Sequence, residues 1–386
     1  MKRFILTVLL VVALPIGAPS GAAESEKAVL EAVGALEKEK RYDEILTRLE
    51  PFAAAPSAQV AYEIAWVRYL RAIDGDKPQG IDPGAVTAAA EWAERARGLG
   101  SIHAFNLLYL IYGQGAGVPV DRDKALGYLR DGAAKGESGA KTNYAVMLYR
   151  GEPGVPRDRA LAGKYFVELS REKVVMPSVY YYLGVMRFRG EDGVKLDKAE
   201  GMRLIRLAAD QGDSEAQRDV GKNYEFGWVG AENLHEALAW YQKAADNGDG
   251  DSQWRIGMAF VNGEERKADP AQAVEWFRRS ADSHSTQGMT SLAVMYATGE
   301  GVKQDWERAR ELYEEAAEGG EAHALLNLSG MYLRGEGVDV DPVHGFVLLS
   351  KAAQMGDEQA VSLKPLVAKE LTAEQLAEAE QRLKQE

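Results

Sequence analysis

The residues of this chain repeat with a period of 36. The stretch "GMTSLAVMYATGEGVKQDWERARELYEEAAEGGEAH" begins at Gly288 and "ALLNLSGMYLRGEGVDVDPVHGFVLLSKAAQMGDEQ" follows from Ala324, each reading as helix, Gly-rich turn, helix, Gly. Ala104, Ala216 and Ser252 open segments of the same design. A unit of this length cannot bury its apolar face alone and has to stack on its neighbours, so the expected fold is an all-α solenoid. In such an array function belongs to a surface more than to a pocket.

The period divides the chain. Eight units are expected, at 60–103, 104–139, 140–178, 179–215, 216–251, 252–287, 288–323 and 324–359. The units from Ala140 and Val179 carry small insertions in their turns, "RGEPGV" and "RGEDGV", and the first unit has its turn stretched to "AIDGDKPQGIDPG". Insertions of this kind fall in loops and leave the stacking intact. Residues 24–59 read as an N-terminal cap, with one helix around Val29, Val33 and Leu36 and another around "RYDEILTRLEPFA". Residues 360–386 read as a polar C-terminal cap whose "LTAEQLAEAEQRLKQE" opens with Thr372 and Gln375 in capping-box spacing.

Packing explains the residue choices inside a unit. Small residues at the first and sixth positions (Gly221, Gly257, Ala293, Ser329) allow close approach, and larger ones at the fifth and ninth (Leu292 and Tyr296, Leu328 and Tyr332) fill the space between. Gly299 and Gly301, like Gly335 and Gly337, are expected at positive φ in the turn. A following Asp (Asp121, Asp158, Asp197, Asp269, Asp305, Asp341) is placed to cap the second helix, and a glycine such as Gly248, Gly320 or Gly356 to stop it.

Residues 1–23 have the order of a secretory signal peptide: Lys2 and Arg3, an apolar run from Phe4 to Leu14, then "GAPSGAAES", with cleavage expected after Ala22 or Ala23. The run is shorter than the roughly 20 residues of a spanning helix. The chain has no cysteine, which excludes a lipid-modified cysteine and a disulfide, so the expectation is a soluble periplasmic or secreted protein that is not a lipoprotein. Without Lys2 and Arg3, 44 of the 46 Lys and Arg remain against 59 Asp and Glu, a balance of −15. Such a chain has no bulk electrostatic reason to bind nucleic acid or anionic lipid.

Wording such as "LAVMYATGEGVKQDWERARELYEEAAEGG" resembles the Sel1-like repeat, a relative of the tetratricopeptide repeat, over roughly Val60 to Gln359. The resemblance implies a right-handed alpha-alpha superhelix that holds partner proteins in a groove, as exported bacterial members do in envelope assembly, polysaccharide export and signalling. Departures from the pattern are Tyr109 at a position the family keeps small, "FGWVGAEN" and "VNGEERKAD" in place of the two-glycine turn, and His284 in place of the closing glycine.

Chemistry is sparse. The five histidines show no i,i+4 pair, "DNGDGDSQ" from Asp246 lacks the full acidic spacing of a calcium loop, and no phosphate loop or nucleophile elbow is present. No catalytic residue, cofactor or metal is therefore assigned. Helical spacing turns positions three, seven and ten of each first helix toward the inner wall. In the middle units these include Tyr181 and Phe188, Arg218 and Lys222, and Trp254 and Met258. Aromatics with a basic pair between them are binding-anchor chemistry, the cations offering a clamp for a carboxylate, while core packing competes for the same rings. The expectation is a non-catalytic periplasmic adaptor for a protein or peptide. The alternative is an envelope factor that engages polysaccharide or peptidoglycan, with weak enzymatic activity as one form of it.

Overall fold

A computed structural model describes residues 24–74, 82–115 and 118–385. The expected signal peptide, at 1–23, and part of the long turn of the first unit lie outside these. Among the described residues the chain forms twenty α-helices and no strand. They run in antiparallel pairs: α1 (Glu26–Lys38) and α2 (Tyr42–Leu49), α3 (Ala58–Ile73) and α4 (Pro83–Gly98), α5 (His103–Gln114) and α6 (Arg122–Ala134), α7 (Ser138–Arg150) and α8 (Arg159–Leu169), α9 (Pro177–Arg189) and α10 (Lys198–Asp210). The series continues with α11 (Ser214–Phe226) and α12 (Leu234–Asp246), α13 (Gly250–Asn262) and α14 (Pro270–Asp282), α15 (Thr286–Thr298) and α16 (Trp306–Glu318), and α17 (Ala322–Arg334) and α18 (Pro342–Gln354), and it closes with α19 (Glu358–Glu370) and α20 (Ala373–Gln385), both packed on α18. The helices gather into two compact units, one up to Leu204 and one from Ile205.

Each pair is set by the same few local devices. Asp121, Asp158, Asp305 and Asp341 accept the backbone N–H three residues on, at 2.9, 2.9, 3.0 and 2.9 Å, so each second helix starts on a satisfied cap. Asn233 takes that place before α12. Gln217 and Gln253, at the second position of their units, donate to Ala209 O and Ala245 O at 3.1 Å and tie each first helix to the end of the helix before it. The ninth-position tyrosines are held from the preceding second helix: Arg206 donates to the Tyr224 hydroxyl at 3.2 Å and Arg278 to that of Tyr296 at 3.3 Å. At the C-terminus Thr372 and Gln375 bond reciprocally, at 2.9 and 3.2 Å, in a closed capping box.

The small sixth position has a specific cause. A Cβ on Gly257 would fall 2.5 Å from the Phe277 ring, and one on Gly221 would fall 2.8 Å from the Tyr241 ring, so the second helix of the pair lies against the glycine. Phe277 and Tyr313 are thereby buried in one continuous core with Leu292, Leu312, Leu328 and Met331 in the second unit. In the first unit Tyr69, Val86, Leu107, Leu108 and Ile111 form the corresponding core. Two of the departures read from the sequence keep the backbone of the repeat. Glu265 stands where later units have Gly301 and Gly337, and His284 where they have Gly320 and Gly356. Both hold φ positive, at 51° and 60°, where a side chain is strained.

Candidate partner-binding surfaces

Within each unit the first helices of successive pairs touch, α5 against α7 and α13 against α15. The second unit carries four of the residues singled out from the sequence. Arg218 on α11 is ion-paired with Asp249 at 2.5 Å and Asp251 at 3.3 Å, so the loop before α13 and its first turn balance its charge. Lys222, one turn on, is half-buried. Trp254 on α13 is also half-buried and donates its indole N–H to Ser291 Oγ on α15 at 2.9 Å. Met258 packs at the margin of the core beside it. These side chains are neither core nor free surface: each is held on one side and open on the other.

A second network continues the same face. Arg255 donates to Glu225 at 2.7 Å and Glu264 at 2.6 Å, while the Tyr241 hydroxyl donates to Glu225 at 2.6 Å. Glu264 is held below its ordinary value by Asn262 and Arg255 against the opposing effect of burial. The whole patch is locked by charge-assisted bonds.

In the first unit the two predicted aromatics separate. Tyr181 on α9 is 8% exposed and lies edge-on to Tyr182, so its ring serves packing. Phe188 is half-buried, with Lys198 Nζ 5.7 Å from its ring centroid. Tyr181 and Phe188 belong to the first unit and the other four residues to the second.

A cluster that the sequence pattern did not single out lies at α1, α3 and α5. Tyr62 and Trp66 occupy the third and seventh positions of the unit from Val60, the same register that was used further along, and they are accompanied by Glu37, Glu63, His103 and Glu137. Burial, then the charge of Glu37, pushes the Glu63 carboxyl up to about 7. Burial likewise raises Glu37 and the Tyr62 phenol. His103 is raised by its 3.3 Å contact with Glu137. The chemistry is that of a half-covered acidic and aromatic face. Among the described residues no group of three or more His, Asp or Glu is placed to hold a metal ion, and no helix is long and apolar enough to cross a membrane.

Stacked helix pairs with a common register define a tetratricopeptide-like repeat scaffold, a class of fold typical of protein–protein interaction. The particular repeat is the Sel1 repeat, which matches residues 104–137, 138–169, 177–213, 214–249, 250–285, 286–321 and 322–357, and the chain belongs to that family. The pair α3 and α4 precedes the first match. Among solved structures, a Sel1 repeat protein from Oxalobacter formigenes is 26% identical, covers 66% of this chain and 99% of its own, and superposes with a TM-score of 0.55. A protective antigen of uropathogenic Escherichia coli strains displaying an SLR fold is 23% identical over 95% of this chain and 92% of its own, TM-score 0.40. Yeast Tom70 is 12% identical over 89% and 82%, TM-score 0.42. No curated protein sequence matches the chain.

Proposed function

We propose that this protein is a non-catalytic periplasmic scaffold that holds a segment of a partner protein along the inner face of its second unit. The observation that carries this reading is the half-open stripe of Lys222, Trp254 and Met258 beside the paired Arg218, on consecutive first helices. An amphipathic ring and a thioether supply contact area at small entropic cost, and Lys222 supplies a cation for a carboxylate. The export reading rests on the order of residues 1–23, and cell fractionation with an outer-face marker tests it. For the surface, a photo-crosslinking residue at Lys222 is expected to give a protein adduct that Trp254→Ala abolishes. An identical adduct from Glu275, on the exposed side of α14, would remove the assignment to the inner face.

One observation favours a carbohydrate as a second kind of ligand. Phe226 and Trp228, 56% and 44% exposed, stack 5.9 Å apart at 24° on the turn after α11. Asn223 holds that turn by bonding both the N–H and the C=O of Val229, at 2.8 and 3.2 Å. A fixed aromatic platform of this kind suits a sugar ring, and loss of glycan binding in Trp228→Ala with Trp254→Ala unaffected would establish it.

A further inference from the structure

Where first helices of neighbouring pairs touch, the fourth position of one faces the third position of the one before it, and a neutral hydrogen bond closes the junction. Asn143 Nδ2 donates to Asn106 Oδ1 at 2.9 Å between α5 and α7, and Trp254 Nε1 donates to Ser291 Oγ at 2.9 Å between α13 and α15. At the junction of α1 and α3, in the first unit, the fourth position carries a carboxylate, Glu63, and the charge of a second, Glu37 on α1, acts on it. Two ionised carboxylates have no proton to offer each other, so this junction lacks the bond that closes the others.

The surroundings do not make up the deficit. Gln59, one turn back on α3, donates to Glu63 Oε1 at 2.5 Å, and Trp66 is the side chain whose hydrogen bonding lowers Glu37. Glu37 Oε1 is nevertheless buried with no hydrogen-bond partner. The charges acting on Glu63 are those of Glu37 and His103, and those acting on Tyr62 are Glu63, Glu137 and Glu37. No Lys or Arg is among them. His103 is the one basic group of the set, and it is engaged by Glu137 at 3.3 Å, while Glu137 also caps α7 through the Ala140 N–H. Burial raises both Glu37 and Glu63, as it does for carboxylates held without a counter-cation. Beside the two acids stand two half-buried aromatic side chains one helical turn apart, Tyr62, with its ring 5.5 Å from that of His103, and Trp66.

We infer that the junction of α1 and α3 is a docking site for a basic side chain, Lys or Arg, on a segment of a partner protein, with Glu37 and Glu63 as its carboxylates and Tyr62 and Trp66 as the aromatic groups beside them. A Lys ammonium or Arg guanidinium supplies several N–H donors and a positive charge at once, which is what the two acids lack. The aromatic side chains favour an organic cation, which is attracted to a ring face as well as to a carboxylate. A metal ion is disfavoured, because among the described residues no group of three or more His, Asp or Glu is placed to hold one. The acidic balance of the chain, −13, draws basic segments toward it from a distance. The inference rests on the scaffold reading for its partner, but the site is separate from the Lys222 and Trp254 face.

The test is a titration of the full chain with a fluorescent ten-residue peptide of alternating Lys and Ala, with its Glu and Ala counterpart as control. At pH 8 the Lys peptide is expected to lose about tenfold in affinity with Glu37→Gln/Glu63→Gln, and at most about twofold with Glu315→Gln/Glu318→Gln, which removes the same charge from exposed positions of α16. Wild-type affinity should rise severalfold from pH 6 to pH 8, because a bound cation favours the ionised form of Glu63, whose value is about 7. Loss of the His103 proton over the same range acts in the same direction and is what remains of the rise in the first variant. Equal losses in the two double variants would reduce the effect to the bulk charge of the chain and overturn the site. Tetramethylammonium binding tighter than the peptide, lost with Glu37→Gln/Glu63→Gln, would overturn the partner class in favour of a small ammonium ligand. Should the double variant melt early by circular dichroism, Glu63→Gln alone is read at pH 8, where it removes one of the two charges. The Lys222 crosslink is the separating control: failure of this site leaves it standing, and failure of the crosslink leaves the Lys-peptide affinity intact.

Discussion

The turns after α9 and α17 begin with the same three residues and differ by one inserted position. Arg334, Gly335, Glu336 and Gly337 lead directly into Val338, whereas Asp192 separates Glu191 from Gly193 and Val194. In the shorter turn a Cβ on Gly337 would fall 2.2 Å from Trp306 Cβ, so this turn is wedged against the preceding second helix. In the longer one a Cβ on Gly193 would meet nothing within 4 Å. The tracts around the two turns also differ in charge. Residues 286–357 hold five Lys and Arg against twelve Asp and Glu, while 138–204 are basic. Where the turn is a packing element, its residues converge on one wording and satisfy one another. The longer turn packs instead through Val194, 8% exposed, and leaves Gly193 clear of its neighbours.

Substituting the two glycines should separate these roles most sharply. Gly337→Ala combines a positive-φ strain with an overlap that the neighbour cannot relieve, and a loss of roughly 3 kcal/mol in denaturant unfolding is expected. Gly193→Ala carries only the left-handed strain, about 1 kcal/mol. Equal losses would show that the longer turn is packed as tightly as the shorter.

The acids differ in the same way, and pH reads it out. Glu336 is held below the ordinary carboxylate value by Arg334, so its contribution is present near neutrality and is lost as pH falls through the lowered value. Glu63 has the opposite sign. With a folded value of about 7, raised by burial, it favours the folded state most below about 4.5, and that contribution is lost as pH rises toward 7. Glu63→Gln should therefore stabilise the protein at pH 8, on the order of 1–3 kcal/mol, and flatten the slope between pH 4.5 and 7. A pH profile unchanged by the substitution would place the carboxyl in water.

Smaller effects concern positions where the repeat keeps its backbone without its glycine. Replacing His284 or Glu265 by glycine should each raise stability by about 0.5–1 kcal/mol, because the native φ of 60° and 51° is relieved. The smallest effect compares the two arginines. Arg334→Gln should cost roughly 0.5 kcal/mol by losing a bonded but exposed pair, and Arg189→Gln close to nothing in stability. A larger loss at Arg189 would show that its looser pair with Glu191 carries stability.

Much of the scaffold was legible in advance. The 36-residue spacing, the Asp caps, the Thr372 and Gln375 capping box and the small sixth position are local rules repeated in register, and each copy reinforces the others. The candidate surfaces were only partly legible. The helical register marked Trp254, Met258 and Tyr181 alike, yet Trp254 and Met258 are half-buried while Tyr181 is packed against Tyr182. It also passed over Tyr62 and Trp66, although the same positions of the unit at 60–103 carry them, because those positions were weighed only in the middle units. The basic tract was present as a charge count in 138–204, hidden by the acidic total.

The sequence by itself determined that this chain is an array of helix pairs, where each pair begins and stops, and which small residues permit contact. Those are properties of bonds within a few residues of one another or one period apart. Only the tertiary structure decided which cations are already spent on neighbours. Arg218 reaches Asp249, Arg255 reaches Glu225 and Glu264, and Arg334 reaches Glu336, while Arg159 and Arg189 share one distant carboxylate. The reason is distance: a difference of about 1 Å between nitrogen and oxygen separates a hydrogen-bonded pair from a looser one, and no spacing along the chain encodes it.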